Sequence, residues 1–294
     1  MTISDALARG TGLLEDSSES PRADALLLLE RVLERPRSWI VAHAGDSSAA
    51  RDAAQFFDLC RRRAAGRPLA YLLGSAGFYG REFIVDESVL VPRPETEHLV
   101  DDAIAFIKEM PRDRLAAVLD LGTGSGAIAC TIAAETRARV DAVDISSAAL
   151  EVARENARRL DVAERCRFIS GDLTALVKTG RYDVVIANLP YMPTRDIPNE
   201  PDPLSFEPRL ALDGGPDGLV LYDRLLPALP EILNRHALVL LEAAPPTIVA
   251  LSRLAATTLK EFVIEVRSDY AGLERYVRAS GRPPKGLTKA LGER

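Results

Sequence analysis

The chain has 294 residues, 47% apolar and 27% charged, with 37 Lys and Arg against 43 Asp and Glu for a net charge of −6. That is a globular composition, and its acidic balance argues against tight non-specific nucleic-acid binding, which rests on neutralising phosphates with many basic side chains. No run reaches the roughly 18 consecutive apolar residues of a membrane span, and the start "MTISDALARG" lacks a charged-then-apolar secretory layout, so a cytoplasmic protein without membrane association is expected.

Residues 1–74 carry no strand pattern and read as a small helical bundle. Ser20 and Pro21 form an N-cap and first-turn pair, and Leu26, Leu29 and Leu33 follow at helical spacing, which predicts a helix through "PRADALLLLERVLER". A further helix is expected over 47–63, ending in Arg61, Arg62 and Arg63 with Arg67 beyond. Cations at that end suit the helix dipole and predict a solvated terminus in preference to a docking patch. Residues 75–93, with "FYGREFIVDESVLVP", read as a β-hairpin connector with a domain boundary beside it.

From Pro94 to the C-terminus, 94–294, the pattern becomes strands separated by helices. A helix is expected over 95–109, then strands near 116–121, 139–144, 166–170, 182–187, 236–241, 261–267 and 274–279. Such alternation predicts an α/β fold with a doubly wound, seven-stranded, mostly parallel sheet. "SDYAGLE", between the last two strands, is too short for a parallel crossover, so the last strand is expected to be antiparallel. The tail "GRPPKGLTKALGER" reads as loose. Cys60, Cys130 and Cys166 lack any C-x-x-C pairing and His43, His98 and His236 are scattered, so buried thiols and no metal site are expected.

Chemistry concentrates where strands end. "VLDLGTGSGAIA" places Gly122, Thr123, Gly124, Ser125 and Gly126 between the first strand and the next helix, the ligand-binding turn of a doubly wound fold. The spacing Gly122-x-Gly124-x-x-Ala127 also satisfies a dinucleotide pattern, so the turn alone leaves NAD open. Asp144 closes the second strand, where a carboxylate can accept hydrogen bonds from ribose hydroxyls of either cofactor. Asp120 before the glycines and Asp172 after the third strand favour S-adenosylmethionine, whose cationic methionine end tolerates nearby carboxylates better than a pyrophosphate does.

The fourth strand stops in Asn188-Leu189-Pro190-Tyr191. A planar amide or base nitrogen is a poor nucleophile because its lone pair is delocalised. Two acceptors, the Asn188 side-chain oxygen and the Leu189 carbonyl, could bind its two N–H groups and aim it, with Pro190 stiffening the turn and Tyr191 offering a ring face.

That tetrapeptide resembles the N-P-P-Y signature of amino-methyltransferases. With "RPLAYLLG", "PRPETE", "FEPRLALDGGPDGLVLYDRLL" and "DYAGLERYV", the chain resembles the peptide-chain release factor glutamine N5-methyltransferase family over nearly its whole length. The resemblance implies a class I S-adenosylmethionine-dependent methyltransferase catalytic domain over 94–294 and an N-terminal helical domain that helps hold the substrate. That substrate is a class 1 release factor, methylated on the glutamine of its Gly-Gly-Gln loop. It further implies that Gly122 to Gly126, Asp144, Leu173 and Asn188 contact the cofactor and that Asn188 through Tyr191 hold the glutamine. No stable nucleic-acid binding is expected, although N-L-P-Y is also the spelling of RNA adenine dimethyltransferases; an amino-methyltransferase acting on RNA or DNA and an inactive cofactor-binding paralogue are the alternatives. Leu189 replaces the family's usual proline, and "LEAAPPT" replaces a Leu-Glu-Ile-Gly run, so a less rigid turn and a loop altered at Ala244 are expected.

Overall fold

A computed structural model describes residues 1–173, 181–199 and 202–281. The predicted loose tail lies, beyond Gly281, outside the described residues. The chain divides into two compact units, one of residues 1–76, 85–87 and the described part of 198–207, the other of the remainder.

The first unit holds helices α1 (Ile3–Gly12), α2 (Pro21–Leu33), α3 (Arg37–Ala42), α4 (Ala50–Ala64) and α5 (Leu69–Leu73). Their apolar faces meet in a core that includes Ile3, Leu28, Leu29, Phe56 and Cys60. Helix α1 opens with a capping box, in which the Thr2 hydroxyl accepts the Asp5 N–H and the Asp5 carboxylate accepts the Thr2 N–H, both at 3.0 Å. Ser20 is the N-cap of α2 with Pro21 in its first turn, as the sequence predicts, although the Ser20 side chain makes no capping hydrogen bond. Its N–H is taken by the Ser18 hydroxyl at 3.0 Å, and that hydroxyl donates to Asp24 at 2.8 Å. The basic end of α4 is also only partly solvated. Arg61 and Arg62 are exposed, 3.8 and 3.9 Å from Asp58, whereas Arg63 turns inward to a 2.8 Å ion pair with Asp24.

Strands β1 (Ser75–Phe78) and β2 (Arg81–Ile84) form a two-stranded sheet about the Tyr79-Gly80 turn. The second unit then continues through α6 (Glu97–Glu109), β3 (Ala117–Leu121), α7 (Ala127–Glu135), β4 (Arg139–Asp144), α8 (Ser147–Arg159), β5 (Cys166–Ser170) and β6 (Tyr182–Ala187). It ends with α9 (Arg209–Leu212), α10 (Val220–Leu225), α11 (Leu229–Ile232), β7 (Leu233–Glu242), α12 (Pro245–Thr258), β8 (Phe262–Ser268) and β9 (Glu274–Gly281). The seven strands run in the order β5-β4-β3-β6-β7-β9-β8. The pairs from β5 to β7 are parallel, and β9 is antiparallel to both β7 and β8. Strand β9 is thus the antiparallel one expected, inserted between β7 and β8.

Alternate residues of β6 supply two cores. Val184 and Ile186 join α6 and α7 on one face, while Val185 and Ala187 join α10, α11 and α12 on the other. A strand buried on both faces accounts for its unbroken apolar run. The chain leaves β3 for β4 on one side and returns to β6 on the other, so a crevice opens at the carboxyl ends of these strands. Ala244 sits there at φ −73°, as the N-cap of α12, with Pro245 at the first helical position. An extended alanine carries no left-handed strain, so the altered "LEAAPPT" loop is relaxed in this chain.

Candidate active site

A cavity of about 300 Å³ occupies that crevice. Its floor is the turn after β3. The Gly122 and Thr123 N–H groups donate to the Val143 carbonyl at 2.9 and 3.0 Å, which ties the turn to the neighbouring strand. Gly122 has φ +71°, and a Cβ there would come 3.1 Å from Leu189 Cδ2 and 3.4 Å from the Asn188 carbonyl oxygen. The close approach of two turns from different strands therefore requires glycine. At Gly124 an added Cβ would meet nothing within 4 Å, because this residue borders the open cavity.

Asp144 ends β4 with its carboxylate held by two backbone donors, Gly124 N–H on Oδ2 and Ser146 N–H on Oδ1, each at 2.9 Å. Two oxygens with about four lone-pair sites retain capacity for ligand hydroxyls. Asp120 lies beneath the turn, fully buried, with Oδ2 accepting the Thr123 hydroxyl at 2.7 Å and Oδ1 unpartnered. Burial pushes its carboxyl up to about 7 against the lowering effect of Thr123. Asp172 lines the cavity, pairs with Arg224, and is held below the usual carboxylate range by that guanidinium.

Among the residues singled out by sequence, Gly122, Thr123, Gly124, Ser125, Asp144, Asp172, Leu173, Asn188, Leu189 and Pro190 share this wall. Gly126 and Tyr191 lie outside it. Gly126 begins α7 where a Cβ would stand 3.0 Å from that of Ala153, so its smallness serves helix packing. Tyr191 packs, partly buried, against the core beneath α10 and α12.

The turn after β6 is built from residues distant in sequence. Asn188 donates from Nδ2 to the Thr96 hydroxyl at 3.2 Å, which leaves Oδ1 as the amide's acceptor for a ligand. Leu189 is buried, and its N–H donates to the Tyr222 hydroxyl at 3.3 Å. Tyr222 shares its own proton between the Glu242 and Ala187 carbonyls. Leucine in place of proline is thus held by a buried phenol and by its own buried side chain. The "GGPDG" segment clasps the other side. Met192 and Gly214 exchange backbone bonds with the opposing chain, Met192 N–H to Leu212 at 3.1 Å and Gly214 N–H to Met192 at 2.9 Å. A Cβ at Gly214 would reach 2.7 Å from the Pro190 carbonyl oxygen, and one at Gly218 2.3 Å from that of Tyr191.

Thr96, Arg93, Leu210 and Arg224 are among the lining residues that the sequence had not assigned to the site. The "PRPETE" and "FEPRLAL" runs that contain three of them were the available signal.

The family described as "PrmC N-terminal domain" matches residues 5–74, and "Methyltransferase small domain" matches 97–199. A protein of Moorella thermoacetica named "Release factor glutamine methyltransferase" is 39% identical over 277 residues, covering 94% of this chain and 97% of that one. A protein of Bordetella pertussis with the same name is 40% identical over 258 residues, covering 87% and 93%. Likeness of that degree over most of both proteins shows that the chain belongs to the release factor glutamine methyltransferase family.

Proposed function

We propose that this protein transfers a methyl group from S-adenosylmethionine to the side-chain amide nitrogen of the glutamine in the Gly-Gly-Gln motif of a class 1 peptide-chain release factor, in the cytoplasm. The observation that carries the reading is a side-chain amide, Asn188, on the wall of the cavity floored by the glycine turn. The residues suit the cofactor: a concave cavity, open space at Gly124 for a ligand to approach the backbone, and a braced carboxylate with spare acceptor capacity at Asp144. Gly122 through Gly126, Asp144, Asp172, Leu173 and Asn188 would form its site. S-adenosylmethionine supplies an electrophilic methyl on a sulfonium.

The protein's own task is to aim a weak nucleophile. Asn188 Oδ1 and the Leu189 carbonyl each take one N–H of the glutamine amide, presenting its nitrogen face to the methyl group, while Pro190 and Tyr191 hold the turn. No general base is needed to begin attack. Residues 1–74 serve as a docking surface for the folded release factor, and binding energy gained there supports reaction at the amide.

Incubation with isotopically labelled cofactor and a release factor, followed by mass spectrometry, tests the reading. Methyl on the Gly-Gly-Gln glutamine is the expected result, with most turnover on intact factor lost when residues 1–74 are removed. Label on structured RNA and none on the factor would overturn it.

A further inference from the structure

Strand β7 ends in Glu242, whose side chain is 1% exposed and whose two carboxylate oxygens complete no hydrogen bond. A buried carboxylate without partners is destabilising, so its retention calls for a role. Leu241 pairs with Ala187 in the parallel β6–β7 register, so Glu242 follows at the strand end beside Asn188. The Thr96 hydroxyl and the Asn188 amide lie near enough to favour its ionised form, as does the Arg275 guanidinium, while the Glu95 carboxylate opposes it. The Tyr191 and Tyr222 phenols sense the same charge. Arg275 is itself committed to Asp269 at 2.8 Å.

Thr96 is buried, neighbours Glu242, and accepts the Asn188 Nδ2–H at 3.2 Å. A hydroxyl has one proton and can accept through its lone pairs. Were that proton aimed at Asn188, the amide would turn its oxygen toward Thr96 and present N–H groups to the cavity, the wrong polarity for binding an acceptor's N–H. An ionised carboxylate can only accept.

We infer that Glu242 is a positioning residue: it draws the Thr96 proton to itself, so that Thr96 accepts from Asn188 Nδ2 and the Asn188 oxygen is turned to the methyl acceptor. The inference rests on the proposed role of Asn188 and deepens it. Burial raises the Glu242 carboxyl to about 7, so protonation near neutrality converts it to a donor and releases the constraint.

The test uses the full chain with Glu242→Gln, Thr96→Val and Thr96→Ser. In single-turnover transfer to a release factor at pH 8 and saturating cofactor, Glu242→Gln and Thr96→Val are each expected to slow transfer by about 10- to 100-fold. Cofactor affinity should stay within about twofold, Thr96→Ser should retain the rate, and the double variant should fall no further than Thr96→Val. In the protein alone, nuclear magnetic resonance should show the Asn188 side-chain amide following the Glu242 carboxyl through a titration near pH 7, and not doing so in Glu242→Gln. A wild-type rate in Glu242→Gln, or an Asn188 amide in the wild type that ignores this titration, overturns the inference. Failure of the wild type to methylate any release factor would instead overturn the functional reading, and the titration then decides the inference alone. The same titration and the Thr96 pair decide it should Glu242→Gln not fold.

Discussion

Gly218→Ala separates the clasp around the acceptor turn from the cofactor floor. Gly218 has φ +80°, and its added Cβ would lie 2.3 Å from the Tyr191 carbonyl oxygen and 3.2 Å from Thr247 Cγ2. The left-handed backbone alone costs an L-residue about 1–2 kcal/mol. Backbone oxygen cannot rotate away as a side chain can, so relief requires moving Tyr191 by about 1 Å or tolerating overpacking of about 1–3 kcal/mol. Together the change should cost about 2–5 kcal/mol of stability, or, where the turn yields, about 100-fold in transfer rate through displacement of the preceding Asn188. Gly124→Ala is the control, with φ +52° and open space around the new methyl. It should lose only about 1–2 kcal/mol of stability while weakening cofactor binding, because that methyl enters the cavity. Urea denaturation, cofactor calorimetry and single-turnover transfer distinguish the two. Gly218→Ala with wild-type stability and wild-type rate would refute the role of this glycine.

Other substitutions test separate contacts. Asn188→Ala should slow methyl transfer by about 10²–10³ with a smaller effect on cofactor affinity, read by single turnover at saturating cofactor. Leu189→Pro restores the family spelling but removes the N–H given to Tyr222 and a buried side chain; a loss of about 1–3 kcal/mol in urea denaturation is expected. Asp144→Ala should weaken cofactor binding by about 1.5–3 kcal/mol in calorimetry, and a mutant that binds as the wild type does would remove Asp144 from the site. Glu242 has its folded pKa raised from 4.5 to about 7. An acid raised in this way binds more protons folded than unfolded across that window, so its own contribution to wild-type stability falls as pH rises from 4.5 to about 7. The Tm advantage of Glu242→Gln over wild type should therefore be larger at pH 8 than at pH 5, and an advantage that shrinks would contradict the assignment.

The sequence by itself determined the strands and the turns that end them. A doubly buried run such as Val184-Val185-Ile186 and the glycine spacing after β3 are written in consecutive residues, because pleat period, positive φ and strand termination are local properties. The antiparallel direction of β9 was legible for the same reason, since a short connection leaves one geometry. Side-chain partnership was not local. Asn188 meets Thr96 across 92 positions and Arg63 meets Asp24 across 39, so neither the orientation of the amide nor the inward turn of one arginine in a basic run could be read along the chain. Ser20 stands at the N-cap its sequence signature predicts, yet the side-chain partners at that end are Ser18 and Asp24, which local signature does not rank. The Tyr222 clasp on Leu189 and the unpartnered Glu242 beside Asn188 arise only once β6, β7 and α10 are packed. Tertiary structure decided them because burial withdraws water as an alternative partner, and a polar group then depends on whichever residues the topology brings within reach.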